Sequence, residues 1–152
     1  MTLTQILGRN CVKVPLEGTT KEAVITELVD MLDASGALSD RDAALQAVLT
    51  RERIRSTGTG NGIAIPHGKS DAVKQLVMAI GIAGQPIEFE SIDGKPVTII
   101  IMLISPVDQT GPHIQALAQI SRLLLDEEFK QKLENAATAK EVHELLSSKE
   151  NG

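Results

Sequence analysis

Tryptophan and tyrosine are absent from this chain, and phenylalanine occurs twice in 152 residues. Bases of single-stranded nucleic acid stack on aromatic rings, so a chain without such platforms is a poor match for that partner. Its core must be aliphatic, and hydrophobic residues indeed make up 42% of the composition. Basic charge is also in short supply. Lys and Arg number 15 against 20 Asp and Glu, a formal charge of -5, whereas a nucleic-acid binder carries a basic face. Protein partners fit this balance better than nucleic acid.

Cysteine occurs once, as Cys11, so no internal disulfide can form. Its place in the apolar segment Cys11-Val12-Lys13-Val14 predicts a packed thiol in a reducing compartment. The three histidines, His67, His113 and His143, show no short ligand spacing, and the cysteine is far from them in sequence, so neither metal nor cofactor is expected. Long apolar runs are missing too. The longest, Ile99 to Ile104, is strand-sized, and no charged leader followed by an apolar segment opens the sequence. The expectation is a cytoplasmic protein with no direct membrane insertion, in one domain large enough to bury a core without metal or disulfide.

What is present concentrates in Gly58-Thr59-Gly60-Asn61-Gly62-Ile63-Ala64-Ile65-Pro66-His67-Gly68-Lys69. Glycine accepts positive φ at no steric cost, so the first five residues predict a sharp turn that brings backbone close to a ligand. Ile63-Ala64-Ile65 reads as a short buried strand. Pro66 stiffens the backbone and has no N–H to give, which predicts that the strand ends at His67, on the rim of a sheet. Near neutral pH an imidazole keeps a large neutral fraction with one nitrogen free to attack, and Lys69 adds positive charge nearby. Gly68-Lys69-Ser70 imitates the end of a phosphate loop, but that motif requires glycine where Ile63 stands. Ser70 and Asp71 near His67 lack a nucleophile-elbow pattern.

Around this loop the sequence alternates strands and helices. A short helix over Thr2 to Leu7 and a strand over Cys11 to Leu16 lead to a capping box at Thr19-Thr20-Lys21-Glu22, with Val24, Ile25, Leu28, Val29 and Leu32 on one apolar face. Gly36 stops that helix. A second begins at Ser39-Asp40 and buries Ala44, Ala47 and Val48. Arg51 extends the edge of that face, where its charge needs a partner and a phosphoryl group would serve. Taken alone it also reads as a surface residue beside Arg53 and Arg55, which are expected to be solvated. Leu76 to Ile82 predicts a strand broken at Gln85-Pro86, then an edge piece at Ile87, Phe89 and Ile92 closed by Asp93-Gly94.

Val97 to Ile104 predicts a central strand covered on both faces. Beyond it, Pro112 suits the first position of a helix, which puts His113 in the first turn on the side of Leu117, Ile120 and Leu124. A helix start attracts anions, although His113 reads equally as a capping or structural residue. Glu127 to Asn135 and Thr138 to Ser148 predict two closing helices, with His143 on the surface. One domain over residues 1–148 and a loose tail over 149–152 follow. The physical reading is an α/β sandwich.

Gly60-Asn61-Gly62-Ile63-Ala64-Ile65-Pro66-His67-Gly68 resembles the signature of the fructose/mannitol-type enzyme IIA domain of the bacterial phosphoenolpyruvate-dependent phosphotransferase system, a family with nitrogen-regulatory relatives. The similarity spans about Thr2 to Leu146. It implies a mixed sheet of about five strands with helices on its faces. It also implies that His67 takes a phosphoryl group from the histidine phosphocarrier protein and passes it to a cysteine on a sugar-specific IIB domain, without a divalent metal. Arg51-Glu52 matches the arginine step before the family's histidine loop, and His113 matches its second histidine. The resemblance therefore implies phosphoryl charge stabilisation by Arg51 and hydrogen bonding by His113. The nitrogen-regulatory alternative, in which phosphorylation of His67 controls binding to a regulated protein target, uses the same residues.

Overall fold

Runs of β-branched residues separated by capped amphipathic stretches give strands and helices mixed along one chain. In the computed structural model, which describes residues 2–151, these are α1 (Leu3–Ile6), β1 (Leu7–Leu16), α2 (Lys21–Ala34), α3 (Arg41–Ile54), β2 (Gly58–Gly60), β3 (Ile63–Ala64), β4 (His67–Lys69), β5 (Val77–Ile87), β6 (Val97–Ser105), α4 (Thr110–Leu123), α5 (Glu127–Glu134) and α6 (Ala139–Asn151). Met1 and Gly152, assigned from sequence to the domain and its tail, lie outside the described residues.

β6 is the spine of a mixed sheet in the order β1-β5-β6-β3-β2, with β4 also paired to β6. It runs antiparallel to β5, with Ile80 opposite Ile101, and parallel to β3 and β4. Ile99 through Ile104 are almost wholly buried because helices cover both faces, as the unbroken apolar run predicts. On one side α2 and α3 pack on each other, α2 against β1 and β5 and α3 against β4; on the other, α4, α5 and α6 join α1 over β1, β5 and β6.

The sixth strand, β4, corrects the expectation at Pro66. Ile63 stands opposite Ile99 and His67 opposite Leu103, the same register on both sides of the proline. Pairing therefore resumes at the histidine instead of ending there. Pro66 needs no N–H for this, because its carbonyl is the group used, accepting from the Leu103 N–H at 3.0 Å.

Other boundaries shift for similar local reasons. The helix caps are Thr20 and Asp40, accepting from the N–H of Ala23 and Ala43, one residue beyond the predicted Thr19 and Ser39. β5 continues through Gln85-Pro86 to Ile87 with a register shift in place of a break. Of the predicted edge piece only Ile87 is in a strand; Phe89 is buried in the core and Ile92 is exposed. Residues 149–151, expected to be part of a loose tail, are helical. α6 runs to Asn151, and Glu150 accepts from the N–H groups of Leu3 (2.7 Å) and Thr4 (2.8 Å), which satisfies orphan donors of α1. Cys11 is buried, as expected, with Sγ 3.6 Å from Ser35 Oγ.

Candidate functional site

Alternation along β4 puts His67 and Lys69 on one face of the sheet and Gly68 on the other. A Cβ on Gly68 would lie 3.1 Å from backbone atoms of Ala47 and Val48, so α3 rests directly on the strand with no side chain between. That close approach carries the last turn of α3, and with it Arg51, to the margin where His67 sits. Gly60, Asn61 and Gly62 all take positive φ (100°, 58° and 81°), which folds β2 back on β3. Asp93 holds this turn by accepting from the Asn61 N–H at 3.0 Å.

His67 is half-buried, with Nδ1 2.9 Å from the carbonyl oxygen of Ile65. A carbonyl only accepts, so Nδ1 carries the ring proton, and in the neutral imidazole Nε2 is the bare nitrogen. The ring is held neutral. Burial pushes its pKa below the ordinary histidine value and the Arg51 charge pushes the same way, while the Ile65 carbonyl and Glu52 oppose them.

His113 lies beside it. The two ring centroids are 5.4 Å apart with the planes tilted by 55°. His113 is only 4% exposed, and its Nδ1 is hydrogen-bonded to the hydroxyl of Ser105 at the end of β6. Burial first, then the repulsion a protonated His67 would add and the charge of Lys69, lowers its pKa to about 4, so it is a neutral imidazole and not a cation. α4 starts at Thr110 with Gln109 as its cap, so Pro112 is the third helical residue, not the first. The His113 N–H is accordingly already bonded to the Gln109 carbonyl at 3.1 Å. His113 contributes its ring, and not its backbone.

Two side-chain cations flank the pair. Arg51 Nη1 donates to the Arg55 carbonyl at 2.8 Å, and Lys69 Nζ donates to Thr110 Oγ1 at 2.9 Å. A cleft of about 270 Å³ opens beside His67, lined by Arg51, Arg55, Thr57, Gly58 and Leu117 among others. Arg53 and Arg55 are exposed, but Arg55 also faces this cleft, which the sequence reading did not foresee. His143 is half-buried on α6, where its Nε2 meets the Gly8 carbonyl at 3.1 Å. It takes no part in the cleft. Among the described residues no three His, Cys, Asp or Glu side chains converge as a metal site would require.

Three groups escaped the sequence reading. The Ile65 carbonyl, which sets the His67 tautomer, is backbone and invisible in residue types. Ser105 closes an apolar run and carried no signal except that it is the first hydroxyl after it. Glu52 was read only as the neighbour of Arg51, yet it is buried and bonded to the Thr57 N–H at 2.9 Å.

A mixed α/β sheet thus presents two abutting neutral imidazoles and an arginine at one margin, an arrangement suited to an anionic group. Residues 5–149 match the family described as phosphoenolpyruvate-dependent sugar phosphotransferase system, EIIA 2. The chain is 38% identical over 128 residues to a fructose-specific EIIA component of Haloferax volcanii, covering 84% of this chain and 83% of that protein. It is 35% identical over 147 residues to a fructose-specific EIIABC component of Bacillus subtilis, matching 97% of this chain but spanning only 23% of that protein's length. The crystal structure of nitrogen regulatory protein IIA-Ntr from Neisseria meningitidis superposes with a TM-score of 0.87 at 30% identity, covering 95% of this chain and 98% of that one. The chain belongs to the EIIA 2 family of the phosphotransferase system. As such it is a phosphotransferase component and a phosphocarrier, and none of its described helices is long and apolar enough to cross a membrane.

Proposed function

We propose that His67 is the phosphoryl acceptor and that its Nε2 is the atom used. The observation that carries this reading is the bond from Nδ1–H to the Ile65 carbonyl, which leaves Nε2 as the lone-pair nitrogen of a neutral ring. Nε2 attacks the phosphorus of the phosphorylated histidine phosphocarrier protein. A new N–P bond forms while the donor's N–P bond breaks, and the electron pair returns to the donor nitrogen. As positive charge builds on the His67 ring, the Ile65 carbonyl at its other end stabilises it. In the second step a cysteine thiolate of a sugar-specific IIB domain attacks the same phosphorus in the cytoplasm, and the pair returns to Nε2.

Phosphoryl transfer depends on positioning and on charge placed around the equatorial oxygens. Arg51 supplies positive charge from α3. His113 Nδ1 is hydrogen-bonded to the Ser105 hydroxyl, and in the reading proposed here that hydroxyl donates, which leaves Nε2–H of His113 as the donor for a phosphoryl oxygen. The likeness to a nitrogen regulatory protein supports a second reading, in which phosphorylated and free His67 select different protein targets. Transfer assays separate the two. With phosphoenolpyruvate and the general phosphotransferase proteins, label on this chain should pass rapidly to the cysteine of a sugar-specific IIB domain; phosphorylation that reaches no such domain supports the regulatory reading.

A further inference from the structure

Among the described residues Glu52 is the one buried carboxylate, at 5% exposure. Desolvating a carboxylate is costly unless every lone pair finds a partner, so a buried one is weak evidence for stability and stronger evidence for a fixed geometry. Both oxygens of Glu52 are partnered. Its oxygens accept from the Thr57 N–H (2.9 Å) and the Thr57 hydroxyl (2.5 Å), and Lys21 Nζ from α2 closes an ion pair at 2.8 Å. Thr57 is itself buried, and its carbonyl accepts the Ile65 N–H at 3.1 Å. The Ile65 carbonyl in turn accepts the proton of His67 Nδ1 at 2.9 Å. From the carboxylate to the imidazole the bonds run without a gap, through three segments that are separate in sequence.

We propose that Glu52 is a positioning residue for His67: by clamping Thr57 it orients the Ile65 carbonyl that holds the Nδ1 proton, and so keeps Nε2 bare towards the cleft. The proposal rests on His67 being the acceptor. Glu52 makes no hydrogen bond to the imidazole, so its hold on the ring's orientation runs through the backbone between them. Its position directly after Arg51 also means that the same clamp fixes the helical turn that delivers the guanidinium. Lys21 neutralises the carboxylate, so the anchor adds little net negative charge beside an anionic phosphoryl group. The influence of Glu52 on the His67 pKa, opposite to that of Arg51, agrees with its nearness.

The test is nitrogen-15 NMR of the His67 ring in the full, unphosphorylated chain near pH 7.5, together with phosphorylation rates from phosphoenolpyruvate and the two general phosphotransferase proteins. Wild-type protein should show a protonated Nδ1 and a bare Nε2. Glu52→Gln removes the charge and weakens the clamp, while Thr57→Val removes the hydroxyl and keeps the backbone and shape. In both, the two ring shifts should move towards each other, and the rate should fall by about tenfold, mostly in kcat and with KM for the phosphorylated donor within about twofold. A purely structural role would move the unfolding midpoint and leave the tautomer alone. Wild-type ring shifts in Thr57→Val, or altered shifts with a wild-type rate, overturn the proposal. The ring measurement needs no phosphate, so failure of His67 as acceptor appears separately, as wild-type protein labelled on another residue.

Discussion

At the scale of single residues the proposed chemistry divides between groups that would reach a phosphoryl group and groups that orient them. His67 offers a bare Nε2 because a carbonyl occupies Nδ1, and no other histidine has that arrangement beside Arg51. His67→Ala should abolish acid-labile phosphate on the protein while His143→Ala leaves it intact, as mass mapping of peptides will show. His113→Ala and Ser105→Ala should each slow phosphotransfer, the first by about a hundredfold if it removes a donor aimed at developing charge. Stopped-flow transfer with both proteins checked for folding by circular dichroism is the measurement. Wild-type rates in His113→Ala contradict its role.

His113 also makes a prediction about pH. Its pKa is lowered to about 4 in the folded chain, against about 6.5 when unfolded. Above the unfolded value both states are neutral and the group adds no pH dependence. Between the two values the unfolded chain takes up a proton that the folded chain refuses, so stability falls as pH falls through that window. Urea titrations from pH 7 down to pH 4 should show this loss, and His113→Asn should reduce it, leaving the part of the same sign that the lowered His67 pKa contributes. The rate of phosphotransfer should likewise stay flat near neutrality and decline only below the ordinary histidine pKa, since the His67 value is also lowered.

At the scale of elements, the site exists because α3 and β4 touch backbone to backbone. Gly68→Val would put branched carbons where Ala47 and Val48 backbone already lies within 3.1 Å of the Cβ position. The helix must then move away from the strand, costing about 1–3 kcal/mol and separating Arg51 from His67. Denaturant unfolding and transfer rate should both fall, in contrast to Arg51→Ala, which should slow transfer without unfolding the chain. The docking of α6 is tested by Glu150→Ala, which removes the acceptor for the Leu3 and Thr4 N–H groups and should cost about 1 kcal/mol.

Element identity was largely legible from the residues. The aliphatic faces of α2 and α3, the buried run of β6 and the helix carrying His113 were all readable from periodicity. The misses share a cause. Thr19 or Thr20, and Ser39 or Asp40, offer equivalent oxygens, and only tertiary packing chooses between them. Pro66 was read as a stop because periodicity and propensity do not say which side of the backbone a neighbour uses. The tail was read as loose because the pairing of Glu150 with α1 spans nearly the whole chain, a distance that local patterns do not carry.

At the scale of the whole molecule, a sheet with an aliphatic spine places residues 51, 67 and 113 at one margin, from three elements separated in sequence. The motif made His67 legible directly. Arg51 and His113 were singled out through family resemblance, since taken alone Arg51 also reads as a surface residue and His113 equally as a capping or structural one. The Ile65 carbonyl on Nδ1 and the contacts of Glu52 with Thr57 and Lys21 had no signature in sequence because they arise only once the chain is folded. The most direct test of the account incubates the chain with phosphoenolpyruvate and the two general phosphotransferase proteins and locates the phosphorus by phosphorus-31 and nitrogen-15 NMR. The account predicts a single phosphohistidine bonded through Nε2 of His67; phosphorus on Nδ1 of that ring, or on any other residue, would contradict it.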